Sequence, residues 1–132
     1  MMNIRPGQHG STYGGNPMAC KIAMTALDIL VSERLSENAS VMGERLMAKL
    51  RTLPKDVVST VRGKGLLCAI VINPNYDAWK VCLKLKEAGL LAKNTHGDII
   101  RFAPPLCINA QQIDESAEII IKTISEFAAG KQ

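Results

Sequence analysis

Two groups of residues in this chain carry side chains suited to holding an anion. The first is His9-Gly10-Ser11-Thr12-Tyr13-Gly14-Gly15-Asn16-Pro17, which sets two hydroxyl donors and three glycines directly before a helix start. Ser and Thr hydroxyls donate to anionic oxygens, and amides exposed in a tight turn form an anion-binding concavity. Asn16 is a favoured N-cap, Pro17 suits the first helical position, and the positive end of the helix adds to the same neighbourhood. The spacing matches neither a P-loop nor a dinucleotide fingerprint. A Gly-rich turn that merely caps a helix is the competing reading. The second group is Ile99-Ile100-Arg101-Phe102-Ala103-Pro104-Pro105, in which one arginine stands on a short apolar strand. A guanidinium there either grips a carboxylate with two parallel hydrogen bonds or serves as a surface charge or structural ion pair.

The chain that must position these groups has 132 residues, enough for one core-forming domain. Its 47% hydrophobic and 21% charged residues fit a folded globular chain rather than a disordered one. The formal net charge of +4 is spread among acids, without the basic runs and interleaved aromatics of a nucleic-acid binder. No apolar run reaches the length of a membrane span. Cys20, Cys68, Cys82 and Cys107 are far apart, lack metal-like spacing and lie in apolar segments, which predicts buried, reduced thiols and no metal site.

Helical periodicity predicts one helix over residues 17–31, with Met18, Ile22, Ala26, Ile29 and Leu30 as a core stripe. A second carries Leu35, Ala39, Met42, Leu46, Leu50 and Leu53 and ends at Pro54. Val57–Val61 favours a strand, Arg62–Gly65 a bend or bulge, and Leu66–Ile72 a strand covered on both faces. Asp77 caps a short helix closed by Gly89. Residues 90–92 and 99–102 read as two short strands, Tyr76 and Trp79 pack over the sheet, and a last helix carries Ile113, Ala117, Ile120, Ile124 and Phe127. The order ααββαββα predicts an α+β fold, with a short, mainly antiparallel sheet packed with helices.

With these residues in view, the chain resembles the C-terminal part of the class III pyridoxal-phosphate aminotransferases, and most closely their ornithine branch. The motifs are residues 9–17, Val61-Arg62-Gly63-Lys64-Gly65-Leu66-Leu67, and His96-Gly97-Asp98 continuing through Leu106. Residues 77–82 and 89–93 also look like that branch. The resemblance implies transfer of the δ-amino group of ornithine to 2-oxoglutarate, giving glutamate-5-semialdehyde and glutamate, with pyridoxal phosphate as cofactor.

Carried over to this sequence, Thr12 would hydrogen-bond the cofactor phosphate across a homodimer interface, and Ser11 would support it through its backbone amide. Arg101 would bind the substrate carboxylate. The resemblance assigns residues 1–31 to the end of a large domain and 32–132 to the small C-terminal domain. No lysine here matches the Schiff-base position, and Lys64 and Lys93 read as surface residues, so the chain alone is expected not to transaminate. The family is mitochondrial in animals and cytosolic in some other lineages. A piece of an acetylornithine or 4-aminobutyrate aminotransferase, or a non-enzymatic anion-binding module, are the alternatives.

Overall fold

The computed structural model describes residues 3–130, which divide into one compact unit up to Leu35 and a second from Ser36 onward. In the first unit an irregular segment leads into α1 (Pro17–Ser32). Asn16 caps it as expected: its side-chain oxygen accepts from the amides of Met18 (3.0 Å) and Ala19 (3.1 Å). The helix ends at Ser32 with Glu33 as its C-cap, and Arg34, with a φ of 52°, turns the chain out of helical geometry. The expected core stripe on α1 is not buried, and no residue of the helix is. Its large apolar side chains fall in two opposite stripes, Met18/Ile22/Ile29 and Met24/Leu27/Val31, all exposed. A helix apolar on opposite sides is built to be covered all round.

The second unit holds α2 (Leu35–Leu50) from Ser36 onward, β1 (Val58–Lys64), β2 (Leu67–Ile72), α3 (Ala78–Glu87), β3 (Lys93–Thr95), β4 (Ile99–Phe102) and α4 (Ala110–Ala129). The strands form one antiparallel sheet in the order β1-β2-β4-β3, so the α+β expectation holds. Leu46, Met47 and Leu50 of α2, Val81, Cys82 and Leu85 of α3, and Ile113, Ala117, Ile120 and Ile124 of α4 recur at threes and fours and are buried. They share one core with Cys68, Ile70 and Ile72 of β2 and Ile100 and Phe102 of β4.

Several local expectations fail for identifiable reasons. Burial alternates along β2, so the strand is fully covered on one face and not on two. The Arg62–Gly65 segment is no bend: β1 runs straight through Lys64, and Gly65-Leu66 form a two-residue hairpin turn to β2. A positive φ at Gly65 (54°) and not at Leu66 is the pattern of a II′ turn. The irregularity in β1 lies earlier, between Val58 and Thr60. The second helix stops at Leu50, three residues short of Leu53, as the amide of Leu53 tightens onto the Leu50 carbonyl (3.2 Å).

Residues 90–92 form no strand. The Leu90 amide is committed to closing α3 on the Leu85 carbonyl (2.8 Å), beside the Gly89 amide on Lys86. Pairing therefore starts at Lys93, and Leu91 is 84% exposed. Tyr76 packs on the core and meets the Phe127 ring at 6.0 Å between centroids, but Trp79 is 54% exposed. Cys68 and Cys82 are buried, and burial pushes both thiols up; Cys20 and Cys107 are exposed, against expectation.

An electrostatic clamp joins α2 to α4. Arg45 binds Asp114 through two parallel hydrogen bonds (2.8 and 2.6 Å), and Lys49 approaches the same carboxylate at 3.3 Å. The Arg45 hydrogen bond, aided by Lys49, holds the Asp114 carboxyl down at about 2. A carboxyl depressed in the folded state contributes stability above its unfolded pKa of ~3.9 and loses it as pH falls toward the folded value. The melting-temperature gap between the parent chain and Asp114→Asn is therefore expected to be constant above about pH 5 and to close toward about pH 2. A gap independent of pH over that range would rule the clamp out as a titrating contribution.

Candidate functional site

The residues singled out by sequence divide between the two units: Ser11 and Thr12 lie in the first, Arg101 in the second. Ser11–Gly14 form a β-turn closed by the Gly14 amide on the Ser11 carbonyl (3.2 Å), with Thr12 at its corner. The Ser11 hydroxyl oxygen accepts from the Tyr13 amide (3.3 Å), which orients it and leaves its proton available to a ligand. Among the described residues nothing engages the Thr12 hydroxyl, and nothing accepts from the amides of Ser11 and Thr12. Two hydroxyls and two amides thus stand exposed on one short turn, a donor set matched to the oxygens of a phosphate. Gly15, with a φ of 78°, redirects the chain from this turn into the Asn16 cap.

One part of the anion-site expectation needs correction. The first amides of α1 are not free for a ligand: Pro17 has none, and Asn16 takes those of Met18 and Ala19 with its side chain and that of Cys20 with its carbonyl. The helix contributes its dipole field to the neighbourhood, but no hydrogen bond. The donors are those of the turn. Tyr13, beside them, is exposed.

Arg101 lies in the middle of β4, between Ile100 and Phe102, which point into the core. Period-two alternation sends its side chain to the opposite face, where it is exposed. It pairs in register with Ala69 on β2 and Lys93 on β3, and no ion pair with it is formed among the described residues. No structural ion pair among the described residues occupies it, and a guanidinium on a central strand is suited to grip a carboxylate.

Sequence reasoning passed over Asn38 and Gly43, and did not group Arg62 or Lys93 with Arg101. Asn38 on α2 donates from Nδ2 to the carbonyls of Leu106 (2.7 Å) and Ile108 (3.0 Å), tying down the loop that follows β4. An Asn inside a helical pattern, poor in propensity, was the available signal. Gly43 on α2 packs backbone to backbone against Gly65, and a glycine inside a helix is likewise a signal. Arg62 and Lys93 flank Arg101 through the sheet register, which only strand pairing reveals. His9 and His96 are exposed, and no group of His, Cys, Asp or Glu among the described residues is arranged to hold a metal ion. No described helix is long and apolar enough to cross a membrane.

Comparison with known proteins places these features in a family. Residues 1–124 match the model of aminotransferase class-III. The chain is 75% identical over 128 residues, 97% of its length, to the probable mitochondrial ornithine aminotransferase of Caenorhabditis elegans, of which it spans 30%. Among solved structures, it is 49% identical to the ornithine aminotransferase of Plasmodium yoelii, with a TM-score of 0.84 over 94% of this chain and 34% of that one. The acetylornithine aminotransferase of Elizabethkingia anophelis is 53% identical, with a TM-score of 0.83 over 94% and 34% of the two chains. The matched residues include both the Ser11–Thr12 turn and Arg101, and the chain belongs to the class III aminotransferase family.

Proposed function

We infer that this chain is the C-terminal part of an ornithine δ-aminotransferase, which transfers the δ-amino group of ornithine to 2-oxoglutarate. The observation that carries the substrate assignment is the 75% identity to a worm protein named for that activity. Residues 1–31 are the end of the large domain and 32–132 the small domain, a reading supported by the division of the chain between Leu35 and Ser36. The two-sided apolar surface of α1 supports its burial within a larger homodimeric enzyme. The mitochondrial matrix is the compartment, following the worm relative's name.

Pyridoxal phosphate, when bound, supplies the electron sink for amino transfer. This chain's residues bind and orient. The Thr12 hydroxyl and the Ser11 amide hold the cofactor phosphate, offered to the neighbouring subunit of the dimer. Arg101 fixes the carboxylate of the substrate, so the reacting end of the molecule meets the centre in one orientation. The cofactor-anchoring lysine belongs to the large domain, so residues 1–132 alone do not transaminate.

The test is product formation. The full-length enzyme, supplied with cofactor, ornithine and 2-oxoglutarate, is expected to release glutamate-5-semialdehyde, trapped as it cyclises. The 53% identity to an acetylornithine enzyme makes acetylornithine the competing donor, and faster turnover of it would overturn the assignment. Thr12→Val keeps the shape and removes one hydrogen bond to a charged phosphate, a loss of ~1.5–3 kcal/mol. Cofactor affinity, read by titrating the apoenzyme, is expected to fall about 10- to 100-fold; an unchanged affinity would remove Thr12 from the phosphate site.

A further inference from the structure

The sheet register sets three cations in one transverse row. Arg62 on β1 pairs with Ala69 on β2, Ala69 with Arg101 on β4, and Arg101 with Lys93 on β3. Paired residues of antiparallel strands project to the same face. All three cations therefore rise from the face opposite the core, and all three are exposed. Only the methyl group of Ala69 separates Arg62 from Arg101 along the row. Strand spacing puts the Cα of Lys93 ~5 Å from that of Arg101, and the Cα of Arg62 ~10 Å away.

No Asp or Glu stands at any paired position of the four strands. Among the described residues none of the three cations has an ion-pair partner. Like charges directly opposite one another in a sheet repel, and an anion lying over the row relieves that repulsion.

We propose that Arg62 and Lys93 are specificity-determining residues that flank Arg101 and favour a dicarboxylate amino acceptor over a monocarboxylate one. This rests on reading Arg101 as the carboxylate-binding residue. A monoanion held by Arg101 feels each flanking cation once, whereas a dianion feels it twice. At ~8 Å and an effective dielectric of ~30–60, the extra charge is worth about three- to tenfold per cation. Salt within the Debye length weakens it.

The experiment compares kcat/KM for 2-oxoglutarate and for pyruvate in the full-length enzyme and in R62Q, K93Q and the double variant. In the double variant the preference for 2-oxoglutarate is expected to fall about 10- to 100-fold at low salt. The effect enters through the 2-oxoglutarate KM rather than kcat, and the salt dependence of that KM becomes shallower. R62K and K93R, which keep the charge, are expected to retain the preference. If they lose it as the neutral variants do, the role is structural and the proposal is overturned. An unchanged preference in the double variant also overturns it. R101Q separates the two readings. If R101Q impairs 2-oxoglutarate use while the flanking variants leave the preference intact, only the flanking role fails. If R101Q has no effect, the carboxylate-binding reading fails with it.

Discussion

A Gly43→Ala chain is expected to melt about 15 °C below the parent, a loss of about 3 kcal/mol. The helix alone argues the other way, since alanine is ~1 kcal/mol better than glycine in a helix interior. Sterics decide the sign. A Cβ built on Gly43 would lie 2.1 Å from the backbone oxygen of Gly65, 2.3 Å from its carbonyl carbon and 2.7 Å from its Cα. All three are backbone atoms, so no side chain can rotate to make room. Either α2 must withdraw or the β1–β2 turn must move, and each opens the core that Leu46, Met47 and Leu50 make with the sheet. Gly65 has little freedom to yield, because its φ of 54° is the conformation the two-residue turn requires. The displaced hairpin is also the one that carries Arg62, so the change reaches the cationic face as well as the core. Thermal denaturation of the two chains decides it. A Gly43→Ala chain as stable as the parent, or more so, would show that helix propensity and not the close approach governs this position.

Where side chains recur with a clear period, the sequence was legible. The stripe Ile113, Ala117, Ile120, Ile124 places α4 on the core, and Asn16 and Asp77 cap their helices through side-chain bonds to the expected amides. Failures arose where the period is ambiguous. The apolar run Leu66–Ile72 does not reveal how many of its faces are covered, because valine and alanine tolerate half-burial as well as a core. The stripe on α1 is real, yet nothing among the described residues buries it. Periodicity reports that a face is apolar; it does not report what covers that face. Anion chemistry at Ser11–Thr12 could be read from residue types, but not the use of the first α1 amides by Asn16. The row joining Arg62, Arg101 and Lys93 was invisible for a different reason. Its members are separated in sequence and meet only through the registers Arg62↔Ala69, Ala69↔Arg101 and Lys93↔Arg101.

With Arg101 read as the carboxylate-binding residue, its substitution is the one expected to change activity most. In the full-length enzyme, R101Q is expected to lower kcat/KM for 2-oxoglutarate by about 100- to 1000-fold, corresponding to two charge-assisted hydrogen bonds worth ~3–4 kcal/mol together. R101K retains a cation but loses the planar fork, so a smaller fall of about tenfold or more is expected. The folded state gives these numbers their meaning. Arg101 is exposed, points away from the core and holds no ion pair among the described residues, so its replacement removes no packing. Stability should change by no more than ~0.5 kcal/mol, the range for exposed positions free of special features. Relief of the repulsion from Lys93, its partner across β3, acts if anything in the stabilising direction. Activity and stability are thereby separated. A surface arginine with no ligand would leave both unchanged, and a structural one would lower both together. Loss of keto-acid turnover at an undiminished melting temperature is the outcome that only a ligand-gripping guanidinium produces. Steady-state kinetics and a thermal melt on the same preparations of R101Q and R101K measure both quantities.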